Sequence, residues 1–119
     1  MSNIDTSLQE LLSIDGAMGG CIVDYLSGMS LGALGAGVDL ELAAAGNSQV
    51  VKAKMETMKS LGIEGNIHDI LITLDDQLHI IRPTVKDKGL FIYLVLDSAK
   101  ANLALARRKV QKVEDALVV

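Results

Sequence analysis

The sequence predicts an α+β domain, a layered structure in which an antiparallel sheet carries helices on both faces. Three observations predict it. The hydrophobic pattern changes along the chain in the order α-β-β-α-β-β-β-α, and strands that follow strands pair antiparallel. Residues 90–96 are an unbroken apolar run, which suits a central strand covered on both sides. Ala99, Leu103, Ala106, Val110, Val113 and Leu117 step by four and three alternately, the one-face spacing of a helix docked on a sheet. At 119 residues the chain holds one domain, residues 1–119.

The elements follow in order. Residues 3–15 read as a helix on the stripe Ile4, Leu8, Leu11 and Leu12, with Ser2 or Asn3 as cap and Gly16 as its left-handed stop. Residues 18–26 read as a strand, Ser27 and Gly28 as a turn, and residues 29–34 as the returning strand of a hairpin. Gly32 and Gly35 put that second strand at an edge. Residues 39–61 read as the longest helix. Asp39 caps it, Glu41 sits in its first turn and Gly62 stops it. Its apolar stripe is Leu40, Ala44, Val51, Met55 and Met58. Ala43 to Gly46 make one end very small, Asn47 and Ser48 interrupt the stripe, and Lys52, Glu56 and Lys59 mark the solvent side. Three strands follow, at residues 67–74, 78–82 and 90–96, the middle one stopped by Pro83. Asp97 or Ser98 then caps the last helix.

Composition narrows the function classes. Half the residues are apolar and the mean hydropathy is +0.36, which excludes a disordered chain. The apolar run at residues 90–96 is far short of the ~18 residues a membrane span needs. No basic segment of signal-peptide type opens the chain, and Cys21 is the single cysteine, so a reducing, cytoplasmic setting is expected. The formal net charge is −4, unevenly spread. Residues 1–51 carry six acids and no Lys or Arg; the remainder carries eleven basic and nine acidic residues. That balance argues against a nucleic-acid partner, and Arg107, Arg108 and Lys109 read as a solvated helix face.

No catalytic or metal constellation reads from the chain. His68 and His79 lie eleven residues apart with no cysteine beside them, and read as strand-end or surface histidines. Cys21 reads as a buried, inert thiol. Ser27 lacks the setting of an activated nucleophile, and Asp75 and Asp76 read as turn residues. The string Gly32-Ala33-Leu34-Gly35-Ala36-Gly37 precedes a helix, but it matches neither the dinucleotide nor the P-loop pattern, and no cation in residues 1–51 meets a phosphate. No cofactor is expected.

Three stretches resemble the Roadblock family of dynein light-chain-type domains: residues 12–24, residues 27–32, and residues 93–107 with the pattern Ala-Asn-Leu-small-Leu-x-Arg. The likeness extends over about residues 4–117, with bacterial and archaeal single-domain members most similar. The resemblance implies a profilin-like αββαβββα fold, with a five-stranded antiparallel sheet in the order 2-1-5-4-3. The middle helix would cover one face and the terminal helices the other. It implies a homodimer paired through the middle helix and the third strand. It implies a non-catalytic platform for a Ras-like small GTPase or a larger complex; some bacterial members are GTPase-activating proteins.

Physical reading of the residues agrees with such pairing. The strand at residues 67–74 would be an apolar edge without Pro or Lys, which invites another chain. The expected interface residues are Ala43, Ala44, Gly46, Asn47, Val51, Met55 and Met58 on the helix, and Asp69, Leu71 and Thr73 on the strand. Arg82, Arg107 and Arg108 are the only arginines and none is on the middle helix, so positioning of a GTPase's own groups is expected over a donated arginine. The alternative is a ligand-binding sensor whose pocket lies at the glycine string and Asp39; a purely structural oligomer subunit is a third reading.

Overall fold

A computed structural model describes residues 2–119. The order is α1 (Ile4–Leu12), β1 (Ala17–Asp24), β2 (Met29–Gly35), α2 (Leu40–Ser60), β3 (Ile70–Thr73), β4 (Gln77–Pro83), β5 (Leu90–Asp97) and α3 (Leu103–Ala116). The five strands form one antiparallel sheet in the order β2-β1-β5-β4-β3. Thus β5 joins two hairpins, β1–β2 and β3–β4, that do not touch each other in the sheet.

Strand β5 is buried along residues 90–96, and its period of two divides the core. Ile92, Leu94 and Leu96 meet Leu8, Leu11, Ala106, Val110 and Val113 of α1 and α3. Phe91, Tyr93 and Val95 face the other way, with Cys21, Val23 and Ile81, under Ala44 and Val51 of α2. Each layer hides one stripe of a helix and one face of the sheet, as a two-sided apolar run requires.

Helix ends differ from expectation where local polar groups compete. Asp39 caps α2 by accepting from the Leu42 N–H at 3.1 Å, and Gly62 follows its end at φ +70°. Helix α1 stops at Leu12, three residues early; Gly16 takes φ +84° in the turn before β1. The Asn3 side chain does not cap α1. It clasps the far end of the chain instead, donating to the Ala116 carbonyl at 2.7 Å and accepting from the Val118 N–H at 2.7 Å. Helix α3 begins at Leu103, not after Asp97. Asp97 ties up the Ala99 N–H with its side chain and the Lys100 and Ala101 N–H groups with its carbonyl, making one closed turn. Asn102 is the true cap, accepting from the Leu105 N–H at 3.1 Å. Ala99 is therefore exposed and off the α3 stripe.

The glycine string has a steric cause. The chain leaving β2 folds back over β1, and the Ala36 N–H donates to the Met18 carbonyl at 2.8 Å. A Cβ on Gly19 would lie 2.1 Å from the Ala36 carbonyl oxygen, and Gly35 sits at φ +90° with the Met18 oxygen 2.4 Å from its Cβ position. Only glycine fits two backbones that close.

Candidate interaction surface

Helix α2 presents three different sides. Its inner side buries Ala44 and Val51, at 1% and 0% exposure, with Met55 and Met58 half-buried beside them. Ala45 faces the β1–β2 turn: a Cβ on Gly28 would be 3.8 Å from the Ala45 Cα. Asn47, roughly 200° around the helix from Ala45, lies on the opposite flank and is half-buried. On this flank stand Ala43, Gly46, Val50, Ala53 and Thr57, with Lys54 as its charge. Gly46 is mid-helix and exposed, and nothing lies within 4 Å of where its Cβ would be. Glu41, Lys52, Glu56 and Lys59 fall on the far side, so small and uncharged residues segregate to the flank on the Asn47 side.

Strand β3 is the other half of this surface. It is an edge, hydrogen-bonded only to β4, and carries no charged residue or proline. It spans Ile70–Thr73 rather than residues 67–74. Ile70 and Ile72 face α2, half-buried. Leu71 packs on the α1 and α3 side, and Thr73 shares its face. Asp69 precedes the strand and is held by Arg107 of α3 through two hydrogen bonds, Nε to Oδ2 at 2.8 Å and Nη2 to Oδ1 at 3.1 Å. The structure thus brings Ala43, Gly46 and Asn47 to the flank and turns Ala44 and Val51 inward. Asp69, Leu71 and Thr73 lie toward the opposite side of the sheet. Val50, 40% exposed, stands on the flank with Ala43, Gly46 and Asn47, and Ile70 and Ile72, one residue out of phase with Leu71 and Thr73, face the α2 side of the sheet.

Between α2 and β3 runs a chain of polar groups. The Gln77 Nε2 donates to the Gly37 carbonyl at 3.3 Å. Gln77 Oε1 lies 2.9 Å from His79 Nε2, and His79 Nδ1 lies 2.9 Å from the Tyr93 hydroxyl. The two rings meet edge to face at 5.5 Å. His79 is thus inside β4 rather than at its end, and half-buried. Burial lowers its pKa from the usual histidine value. Burial pushes Tyr93 up to about 12, opposed by the Asn47 amide and aided by Cys21; burial pushes the Cys21 thiol up to about 12 as well. Cys21 is fully buried, a setting without the nearby cation that activates a thiol. His68 is exposed.

The rest of the molecule offers little chemistry. Among the described residues, no group of three or more His, Cys, Asp and Glu is placed to hold a metal ion, and no helix is long and apolar enough to cross a membrane. A cleft of about 520 Å³ opens at the C-terminal end of α2, lined by Tyr25, Met55, Met58, Ile63, Pro83 and Val85 with Lys59 and Lys88. It lies at the opposite end of α2 from Asp39, where the sensor reading placed its pocket. Two of the arginines are engaged: Arg82 pairs with Glu114 in a nearly buried contact, and Arg107 holds Asp69.

No family model matches the chain, and no curated protein matches it. Solved structures do. A Roadblock/LC7 domain from Streptomyces avermitilis superposes with a TM-score of 0.82 at 14% identity, covering 97% of this chain and 94% of that one. MglB from Myxococcus xanthus gives 0.82 at 17% identity, covering 94% and 89%. A structure described as MglB with tetrameric arrangement gives 0.82 at 19% identity, covering 96% and 84%. The chain therefore has the Roadblock/LC7 fold, a profilin-like α+β sheet in the order 2-1-5-4-3.

Proposed function

We propose that a protein with this fold and this surface is a non-catalytic, homodimeric interaction platform in the cytoplasm, pairing through α2 and β3 and presenting the joined face to a Ras-like small GTPase. The observation that carries the pairing is Gly46. A glycine inside an exposed helix costs roughly 1 kcal/mol relative to alanine. Nothing within the protomer needs it, since its Cβ would meet open space. A second helix crossing at this point supplies the need. The flank of α2, with Lys54 as its single charge, and the open edge of β3 lie on the same side of the helix, so one two-fold axis buries both. Self-association has a counterpart in the tetrameric arrangement of a structurally similar MglB.

The GTPase is the partner class that the Roadblock resemblance implies. Arg82 and Arg107 are held in ion pairs, Arg108 lies on α3 and α2 has no arginine, so any activation through the α2 surface proceeds by positioning the GTPase's own groups. The test has two parts. Light scattering of the purified protein at micromolar concentration is expected to give about twice the 12.6 kDa monomer mass, and a monomer refutes the pairing. Co-purification from the native cell is then expected to retain a Ras-like GTPase, and retention of none refutes the partner. The protein alone is expected to hydrolyse no nucleotide.

A further inference from the structure

The cleft at the C-terminal end of α2 lies outside the pairing surface proposed above: Met58 is about 18 Å along the helix axis from Gly46. Both of its walls are fixed within the protomer. Helix α2 is closed there by the Leu61, Gly62 and Ile63 N–H groups, which donate to the Thr57, Lys59 and Met58 carbonyls at 2.9, 3.1 and 2.9 Å. On the other side, the Tyr25 N–H donates to the Gly89 carbonyl at 2.8 Å and ties the β4–β5 loop to the β1–β2 turn. The Thr84 N–H closes the same loop by donating to the Leu90 carbonyl at 2.9 Å. The Tyr25 ring stacks on the buried Phe91 with centroids 6.4 Å apart. Tyr25, Met55 and Met58 line the cleft half-buried, while Ile63 and Val85 are 53% and 50% exposed. Its volume of about 520 Å³ has room for a few side chains of a partner.

Charge selects what enters. Lys59 and Lys88 both line the cleft, and Glu64 is the one acid that does so among the described residues. None of the three is in an ion pair among the described residues. We infer that the cleft receives a linear acidic segment of a partner protein. One apolar side chain enters between Tyr25 and the two methionines, and carboxylates beside it meet Lys59 and Lys88. Methionine suits such an anchor, because its unbranched thioether repacks around side chains of different shape. Lysine suits the flanks, because a point charge on a flexible stem attracts a carboxylate without fixing its angle. A small anion fits less well, since it needs several convergent polar groups where this lining offers thioethers and a ring. A second copy of this chain offers no such segment: the acids of residues 1–51 are spread over α1, β1, α2 and the turns between them. Fixed walls leave only the peptide to be ordered on binding. The inference adds a second docking point to the proposed platform and does not depend on the dimer.

The probe is a library of short random peptides displayed on phage and selected on the full chain. The peptides recovered are expected to carry Leu, Met or an aromatic residue flanked by Asp or Glu. Fluorescence anisotropy of a recovered peptide is expected to show about tenfold weaker binding to the double variant Lys59→Glu/Lys88→Glu. Lys100→Glu, a reversal at an exposed lysine outside the cleft, is expected to bind as the wild type does. Added salt is expected to weaken the wild-type complex. In the wild type, the methyl resonances of Met55 and Met58 are expected to shift as peptide is added. Recovery of basic or uncharged peptides, equal binding by the double variant, or unmoved Met55 and Met58 methyls overturns the inference. Loss of self-association in the double variant also overturns it and assigns the cleft to a second copy. Binding of phosphatidylserine vesicles with no peptide consensus overturns it in favour of a lipid surface. A wild-type monomer that still selects acidic peptides refutes the dimer and leaves this inference standing.

Discussion

Replacing Gly46 with alanine separates what the protomer wants from what the seam wants. Within the protomer the added methyl meets nothing within 4 Å and the residue is helical. Helix propensity and a stiffer unfolded chain together favour alanine by about 0.5–1 kcal/mol. For a chain of this size that raises Tm by roughly 2–6 °C. At a helix crossing the same methyl forces the two backbones apart, and overpacking of this kind costs about 1–3 kcal/mol. The dimer constant then weakens by roughly 5- to 150-fold. Urea unfolding at concentrations where the protein is monomeric reads the first effect, and sedimentation reads the second. Opposite signs in the two assays support a crossing at Gly46. A stabilised protomer with an unchanged dimer constant refutes it, and a destabilised protomer refutes the reading of an open site.

Three further outcomes follow from the protomer itself. Arg82→Ala strips the partner from the nearly buried Glu114, which also accepts from the Val85 N–H at 2.9 Å; denaturant titration is expected to show a loss of about 3–5 kcal/mol. Gly35→Ala puts a methyl 2.4 Å from the Met18 carbonyl oxygen at φ +90°, and the same measurement is expected to show a loss of roughly 2–4 kcal/mol. Tyr93 keeps its proton to about pH 12 when folded and loses it near 10 when unfolded, so the unfolded state binds fewer protons in that window. Stability is therefore expected to fall as pH rises from 10 to 12, and Tyr93→Phe is expected to flatten that fall in unfolding curves.

How much the sequence disclosed depends on whether the deciding partner was local. The run at residues 90–96 declared β5 because both of its faces are covered, and a strand of that kind leaves no polar alternation to misread. Asp39 and Gly62 marked α2 because a cap acts on N–H groups three residues away. The start of α3 was missed because Asp97 and Asn102 are both competent caps, and the turn made by Asp97 claims the first. The pairing of Asp69 with Arg107 was not legible, because the two residues are 38 apart in sequence. The His79 chain was half legible: Gln77 and His79 share a strand face by their spacing of two, but Tyr93 is 14 residues on and Gly37 is 40 back. Of the α2 residues expected at a partner, Ala44 and Val51 are buried against the protomer's own sheet, while Ala43, Gly46 and Asn47 stand on the flank beside it; hydropathy alone does not separate the two sides.

The position of β5 between the two hairpins sets the order in which the chain becomes a protein. Everything synthesised before Leu90 contains both hairpins and α2 but not the strand that links them. Until β5 leaves the ribosome, β1 and β4 are both edges, and their apolar faces have no shared layer. Assembly of the sheet then waits on pairings such as Cys21 with Tyr93, 72 residues apart in sequence, and such distant contacts make folding slow. The closing clasp of Asn3 with Val118 joins residues 115 apart and comes last of all. A ribosome stalled after β4 would therefore display two sticky half-sheets, and the last quarter of the chain decides whether they become one molecule or aggregate.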